Sequence, residues 1–169
     1  MRGVRVWVVY VVVVTVLGVA MSVGADTPQH LFYIARSNNA NVVQFDALLG
    51  QNGALNHALP VRAYWIMNAE DGRREELTAL ERRMAYGFVA RRRSSRSASL
   101  RLDAFPKREI QVISRHGRYQ AWTRIADRWA RLERIYVQLG KMAFIPSVSA
   151  VYLLGRCDGK VVSERLEPD

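Results

Sequence analysis

The chain has 169 residues, with 25 lysines and arginines against 15 acids, a formal net charge of +10 and one cysteine. A lone cysteine excludes an internal disulfide framework. The length provides for one domain with a real core and is too short for two comfortable ones.

The first 25 residues read as an export signal. Arg2 and Arg5 precede a long apolar run without charge, which closes on the small residues Val23, Gly24 and Ala25. Those are the three parts of a secretory signal, with cleavage expected after about Ala25. The run approaches the roughly 18 residues at which a membrane span becomes possible, so an uncleaved anchor is the alternative. In that alternative the N-terminal segment is the chain's contact with the membrane. Residues 26–169 then form a single β-rich domain, periplasmic or secreted. Export turns the basic excess away from nucleic acid and toward anionic envelope components or small ligands. Only Lys107, Lys141 and Lys160 are lysines, so the excess is nearly all arginine, a skew that base composition of the source genome would also produce.

The stretch HLFYIARSNNANVVQFD, residues 30–46, sets two apolar arms around a polar knot. Pairing Arg36 with Asn41 across a loop of Ser37 to Ala40 puts Ile34 opposite Val43 and Phe32 opposite Phe45 on one apolar face. Tyr33 then lies beside Gln44 and Leu31 beside Asp46 on a half-wet face. Asparagine tolerates the backbone that tight turns demand. A turn accounts for the knot, except for Arg36, which sits on the apolar side and needs a partner if it is covered.

LPVRAYWIMNA, residues 59–69, alternates Val61, Ala63, Trp65 and Met67 with Arg62, Tyr64, Ile66 and Asn68, and Pro60 suits its start. From about residue 74 to residue 86 the period changes to helical. Leu77, Leu80, Met84 and Phe88 make a narrow apolar stripe, with Glu75 and Glu76 early and Arg82 and Arg83 late, and Gly87 closes the segment. The expectation is a short amphipathic α-helix covering a sheet edge or end. RRRSSRSAS, residues 91–99, reads as an exposed loop.

Strands return in LRLDAF, in REIQVIS and YQAWTRI around the turn at His116, Gly117 and Arg118, and in RLERIYVQL. VSAVYLLGRCDGKVVSERL carries two apolar arms around Asp158-Gly159, the strongest hairpin signal in the chain. The sum is a mainly β fold, an antiparallel β-sandwich or barrel of about eight to nine strands with one short helix.

His30, His57 and His116 share no short ligand spacing, so no metal site is expected. No phosphate loop, dinucleotide glycine pattern or G-x-S-x-G is present, and no cofactor is expected. Asp46, Asp103, Glu109, Asp127, Glu133 and Glu164 could supply a catalytic pair if the fold converged two of them. Tyr64, Trp65, Tyr86, Trp122 and Trp129, with neighbouring arginines, could stack on a sugar or clasp an anion, although rings of this size mostly fill cores. Cys157 has no histidine near it in sequence and reads as a small packed residue.

The blocks FYIARSNNANVVQFD, PVRAYWI, ALERRMAYGF, AFPKREI, RIYVQL and VYLLGRCDGKVVSERL, taken in order, resemble the bacterial family known as domain of unknown function 4833. The resemblance spans about residues 30–167 and implies an exported single domain, with no reaction and no cofactor attached. If its blocks mark a site, the positions are Arg36, Asn38, Asn39 and Asn41 on the first turn, Tyr64 and Trp65 on the strand, and Tyr86 with Gly87 after the helix. The functional expectation is a non-enzymatic envelope domain that binds a ligand through aromatic and arginine side chains. The alternatives are a carboxylate-dependent hydrolase of envelope glycans and a structural partner in an envelope complex.

Overall fold

A computed structural model describes residues 27–142 and 145–167, and the expected export segment lies outside them. The described residues form eleven strands: β1 (Thr27–Arg36), β2 (Asn39–Leu49), β3 (Val61–Ile66), β4 (Arg74–Glu76), β5 (Phe88–Ser94), β6 (Ser97–Leu102), β7 (Glu109–Arg115), β8 (Arg118–Ile125), β9 (Arg128–Met142), β10 (Ile145–Cys157) and β11 (Lys160–Leu166). One helical segment interrupts them, α1 (Ala79–Glu81), which continues as a π-turn at Arg82–Tyr86. Among these residues no helix is long and apolar enough to cross a membrane.

The strands make one sheet in the order β4-β3-β2-β1-β9-β8-β7-β6-β5, with β10 on β9 and β11 on β10. The mainly β expectation holds. The sheet, however, has eleven strands rather than eight or nine, and it curls into a half-barrel instead of closing as a barrel or layering as a sandwich. Nor is it wholly antiparallel, because β1 runs parallel to β9, with Tyr33 to Arg36 beside Arg134 to Val137. The cause lies in β9, which is long enough to serve three neighbours. β10 takes one edge from Arg131 to Met142, so β8 and β1 share the other edge, at Arg128–Arg131 and Arg134–Val137. Two arms of sheet therefore leave β9, and their concave faces enclose the core.

Alternation decides which side chains face inward. In the first hairpin Ile34 lies opposite Val43, Phe32 opposite Phe45 and Tyr33 opposite Gln44, as the sequence predicts. Phe32, Val43 and Phe45 are fully buried. The rings of Phe32 and Phe45 stack at 4.6 Å, and Phe45 meets Phe88 of the opposite arm edge-on at 5.4 Å. Two details differ from the expectation. An irregularity at Leu31 puts His30 opposite Asp46, and a second one shortens the turn to Ser37-Asn38, so Arg36 faces Asn39 rather than Asn41. At the other end of the chain Asp158 and Gly159 both adopt positive φ, 50° and 77°, the backbone that a two-residue hairpin requires.

Two further expectations are corrected. Residues 91–99 fall in the β5–β6 hairpin: Ala98 begins the core-facing set that continues through Leu100 and Leu102, while Ser99 faces the other side, where Arg93 Nε donates to its Oγ at 3.1 Å. The helix over 74–86 starts late. Residues 74–76 extend as β4 against β3, and helical structure begins only after Thr78. Thr78 and Glu81 form a reciprocal capping box, Glu81 N–H to Thr78 Oγ1 at 3.2 Å and Thr78 N–H to Glu81 Oε2 at 2.8 Å. Of the predicted stripe Leu77 is buried and Phe88 packs partly on the core, but Leu80 and Met84 face water at 69% and 73% exposure.

Candidate functional site: an arginine beside an apolar cavity

Ile34 and Arg36 lie two residues apart on β1 and point to the same concave face, as do Val137 and Leu139 of β9 and Val151 of β10. Between these strands, the π-turn and the segment 104–108 lies a cavity of about 620 Å3. Its walls are mainly apolar, with Leu102, Phe105, Ile135 and Val151 prominent, and its polar lining comes from Arg36, Tyr86, Lys107, Arg108 and Glu167. The volume is within the roughly 300–1,000 Å3 typical of small-molecule sites.

Arg36 is the unusual group. Its Cζ sits 4.8 Å from the centroid of the Trp65 ring and 5.9 Å from that of Tyr86, and the two rings meet edge-on at 5.2 Å. Both distances fall inside the range of cation–π attraction. Ring faces attract the charge but accept no hydrogen bond in the guanidinium plane, and Arg36 Nε is buried with no partner among the described residues. An unsatisfied buried donor costs about 1–3 kcal/mol, and more when charged. Arg36 also makes no ion pair among the described residues. Glu81 is close enough for the arginine's field to favour its ionised form, but its oxygens are already engaged. Thr78 N–H and Thr78 Oγ1 both donate to Oε2 at 2.8 Å, and Trp65 Nε1 donates to Oε1 at 3.0 Å. Burial opposes ionisation of Glu81, yet these bonds and Arg36 outweigh it and hold the carboxyl below its ordinary value. Burial likewise pushes the Tyr86 hydroxyl upward against the pull of Arg36, so the phenol stays neutral. Glu81 thus fixes the indole, the indole backs the guanidinium, and Arg36 Nε is left without an acceptor among the described residues.

The π-turn brings Met84, Ala85 and Tyr86 to the cavity wall. Gly87 ends it without choice, since a Cβ there would overlap Asp103 Oδ2 and the Arg82 carbonyl oxygen.

Arg36, Trp65 and Tyr86 therefore come together, and the other positions predicted from sequence do not join them. Tyr64 precedes Trp65 and so faces the convex side, where its hydroxyl donates to Asp46 Oδ2. Gln44 Nε2 donates to Asp46 Oδ1 at 2.9 Å and to Tyr64 Oη at 2.8 Å, His30 Nδ1 lies 3.5 Å from Oδ1, and Arg74 Cζ stacks 3.6 Å from the Tyr64 ring. Burial opposes the charge on Asp46, but the bonds from His30, Tyr64 and Gln44 hold its carboxyl below the ordinary value. Burial and the Asp46 carboxylate push the Tyr64 hydroxyl up to about 12. The asparagines build the turn. Asn39 Oδ1 accepts from Asn41 N–H at 3.1 Å, and Asn41 Oδ1 accepts from Ala69 N–H at 2.8 Å, while Asn38 is exposed at the tip. Ser37 ties the knot to β9 through Leu139 N–H to Oγ at 3.0 Å.

None of the six acids considered for catalysis lines the cavity. Asp46 is held as described, Glu109 pairs with Arg101, Glu133 with Arg131 and Arg156, and Glu164 with Arg108. Among the described residues no group of three or more His, Cys, Asp or Glu side chains could hold a metal ion. Burial and the carboxylate of Asp158 push the Cys157 thiol upward, away from nucleophilic use.

Phe105, Lys107, Leu139 and Val148 line the cavity without having been singled out by sequence. The first two lie in a non-periodic connection, where no pattern announces an inward residue. Glu81 carried a readable signal, since Thr78-x-x-Glu81 has the spacing of a capping box.

The arrangement defines a class, a curled β-sheet domain with a cation placed at the wall of an apolar concave cavity. The chain belongs to the family described as Domain of unknown function (DUF4833), whose model matches residues 32–165. No curated protein and no solved structure matches the chain.

Proposed function

We propose that this is an exported, non-enzymatic envelope domain that binds an amphipathic anion, with the acid head on Arg36 and the apolar body along Leu102, Phe105, Ile135 and Val151. The observation that carries the reading is the buried Arg36 Nε, unpartnered among the described residues, at the edge of a mainly apolar cavity. A guanidinium whose faces rest on aromatic rings keeps its in-plane donors for a carboxylate or phosphate, which it binds in a forked geometry. The apolar walls add affinity in proportion to the area they cover. Lys107 contributes a second cation to the lining.

Calorimetric titration with dodecanoate, dodecyl phosphate and dodecanol tests this. The two acids should bind the wild-type chain at least ten-fold more tightly than the alcohol, and Arg36→Met should remove that preference while leaving weak apolar binding. The stronger of the two acids identifies the head group. Equal affinity for the acids and the alcohol, or an unchanged preference in Arg36→Met, would overturn the reading.

A further inference from the structure

We propose that the rim of this cavity docks on an anionic lipid bilayer, so that the ligand passes between bilayer and cavity without crossing water; the inference rests on the amphipathic-anion reading above. Leu80 and Met84 should by their spacing have been core, and instead stand exposed at 69% and 73% on one side of the Ala79–Tyr86 segment. Met84 lines the cavity as well as facing water, so the exposed surface and the interior are one continuous apolar path. Val148, 41% exposed, lines the same cavity from β10. It reaches that position because the β9–β10 pairing slips between Val148 and Ala150, which sets Val148 opposite Leu139, another lining residue.

The charge around these side chains selects the surface. Arg82 and Arg83 immediately precede Met84, and Lys107 lines the cavity. Arg83 and Lys107 make no ion pair among the described residues, while Arg82 reaches Glu76 at 3.4 Å. Glu167, the acid in the lining, pairs with Arg165. Exposed apolar side chains flanked by unpaired cations match an anionic headgroup layer over an acyl boundary. A protein partner would meet the same side chains, but would give the cavity no source of an amphipathic ligand.

The test uses the full chain with Cys157→Ser and one new cysteine carrying an environment-sensitive fluorophore, at Met84→Cys or, as a control, at Leu59→Cys. Vesicles of phosphatidylglycerol with phosphatidylcholine should blue-shift the probe at position 84 and not the one at position 59. Vesicles of phosphatidylcholine alone should be at least ten-fold weaker. Arg83→Glu and Leu80→Glu should each weaken the response several-fold, and Leu80→Glu should leave dodecanoate affinity in vesicle-free solution unchanged. No shift at position 84, or an equal shift at position 59, overturns the docking proposal even where dodecanoate binds. Absence of both dodecanoate and dodecyl phosphate binding by the wild-type chain overturns the reading beneath it instead. A local probe reports burial of the rim however the N-terminal segment behaves.

Discussion

Tyr64 and Trp65 are neighbours on one strand, yet each belongs to a polar cluster on a different side of the sheet. On the convex side Asp46 is 2% exposed and accepts from Tyr64 and Gln44, with His30 in reach. On the concave side Arg36 rests on Trp65 and Tyr86 with Nε unanswered among the described residues. A buried charge whose bonding positions are filled by its own chain is a structural device. A cavity-lining cation with a buried donor left unanswered is a place for a ligand.

The sharpest way to break this contrast is to remove each charge. Asp46→Ala leaves the buried Tyr64 hydroxyl without its acceptor and takes one of two acceptors from the Gln44 amide, and should lower unfolding stability in urea by about 3 kcal/mol. Gly87→Ala comes next, at about 2 kcal/mol, because overpacking against the Arg82 carbonyl cannot be relieved by a side-chain rotation. Arg36→Met should move the other way, gaining up to about 1 kcal/mol, since replacing a half-buried, incompletely satisfied charge by an apolar chain of similar length is often stabilising. A loss of several kcal/mol in Arg36→Met would make Arg36 structural and erase the distinction. Trp65→Phe keeps a ring under Arg36 and loses the bond to Glu81, with an expected cost of about 1 kcal/mol.

Acid and alkali sharpen the same comparison. Asp46 is held below its ordinary value, so its contribution is present above the unfolded carboxylate range of about 4 and is lost as pH falls through the lower folded value. Asp46→Asn should flatten that limb of a urea-midpoint profile against pH. Tyr64 has the opposite sign. Its contribution is intact below the unfolded value of about 10 and is lost as pH rises through about 12. Ultraviolet titration should therefore show Tyr64 among the late-ionising tyrosines of the wild-type chain, with Tyr86, and should show its ionisation moved to lower pH in Asp46→Asn, where burial alone still holds it up.

How much of this could be read from the sequence follows the range of each interaction. Period-two alternation fixes the pairings of Ile34 with Val43 and Phe32 with Phe45, because a one-residue slip would turn the slipped strand's apolar set to water. Asp158-Gly159 announces its hairpin from two residues. The same alternation should have separated Tyr64 from Trp65, since adjacent strand residues face opposite ways. The helix boundary was also legible at Thr78 and Glu81, where the cap outweighs the apolar stripe that suggested an earlier start. Beyond reach were the parallel seam and the inward turn of Phe105, because neither depends on neighbours in sequence. Arg36 was legible as an anomaly, a charge on an apolar face, but its aromatic companions come from elements that only the fold assembles.

The seam between β1 and β9 sets an order of assembly. Hairpins such as β5–β6, β7–β8 and β10–β11 close across two residues, with little loop entropy to overcome, whereas β1 meets β9 only after most of the polypeptide exists. Until then one side of β1 presents a bare row of amide groups, a template for mispairing between nascent chains. Among the described strands the one that carries Arg36 is therefore the first to be synthesised and waits for a second partner far along the chain, and a chaperone that shields it would protect the molecule from aggregation.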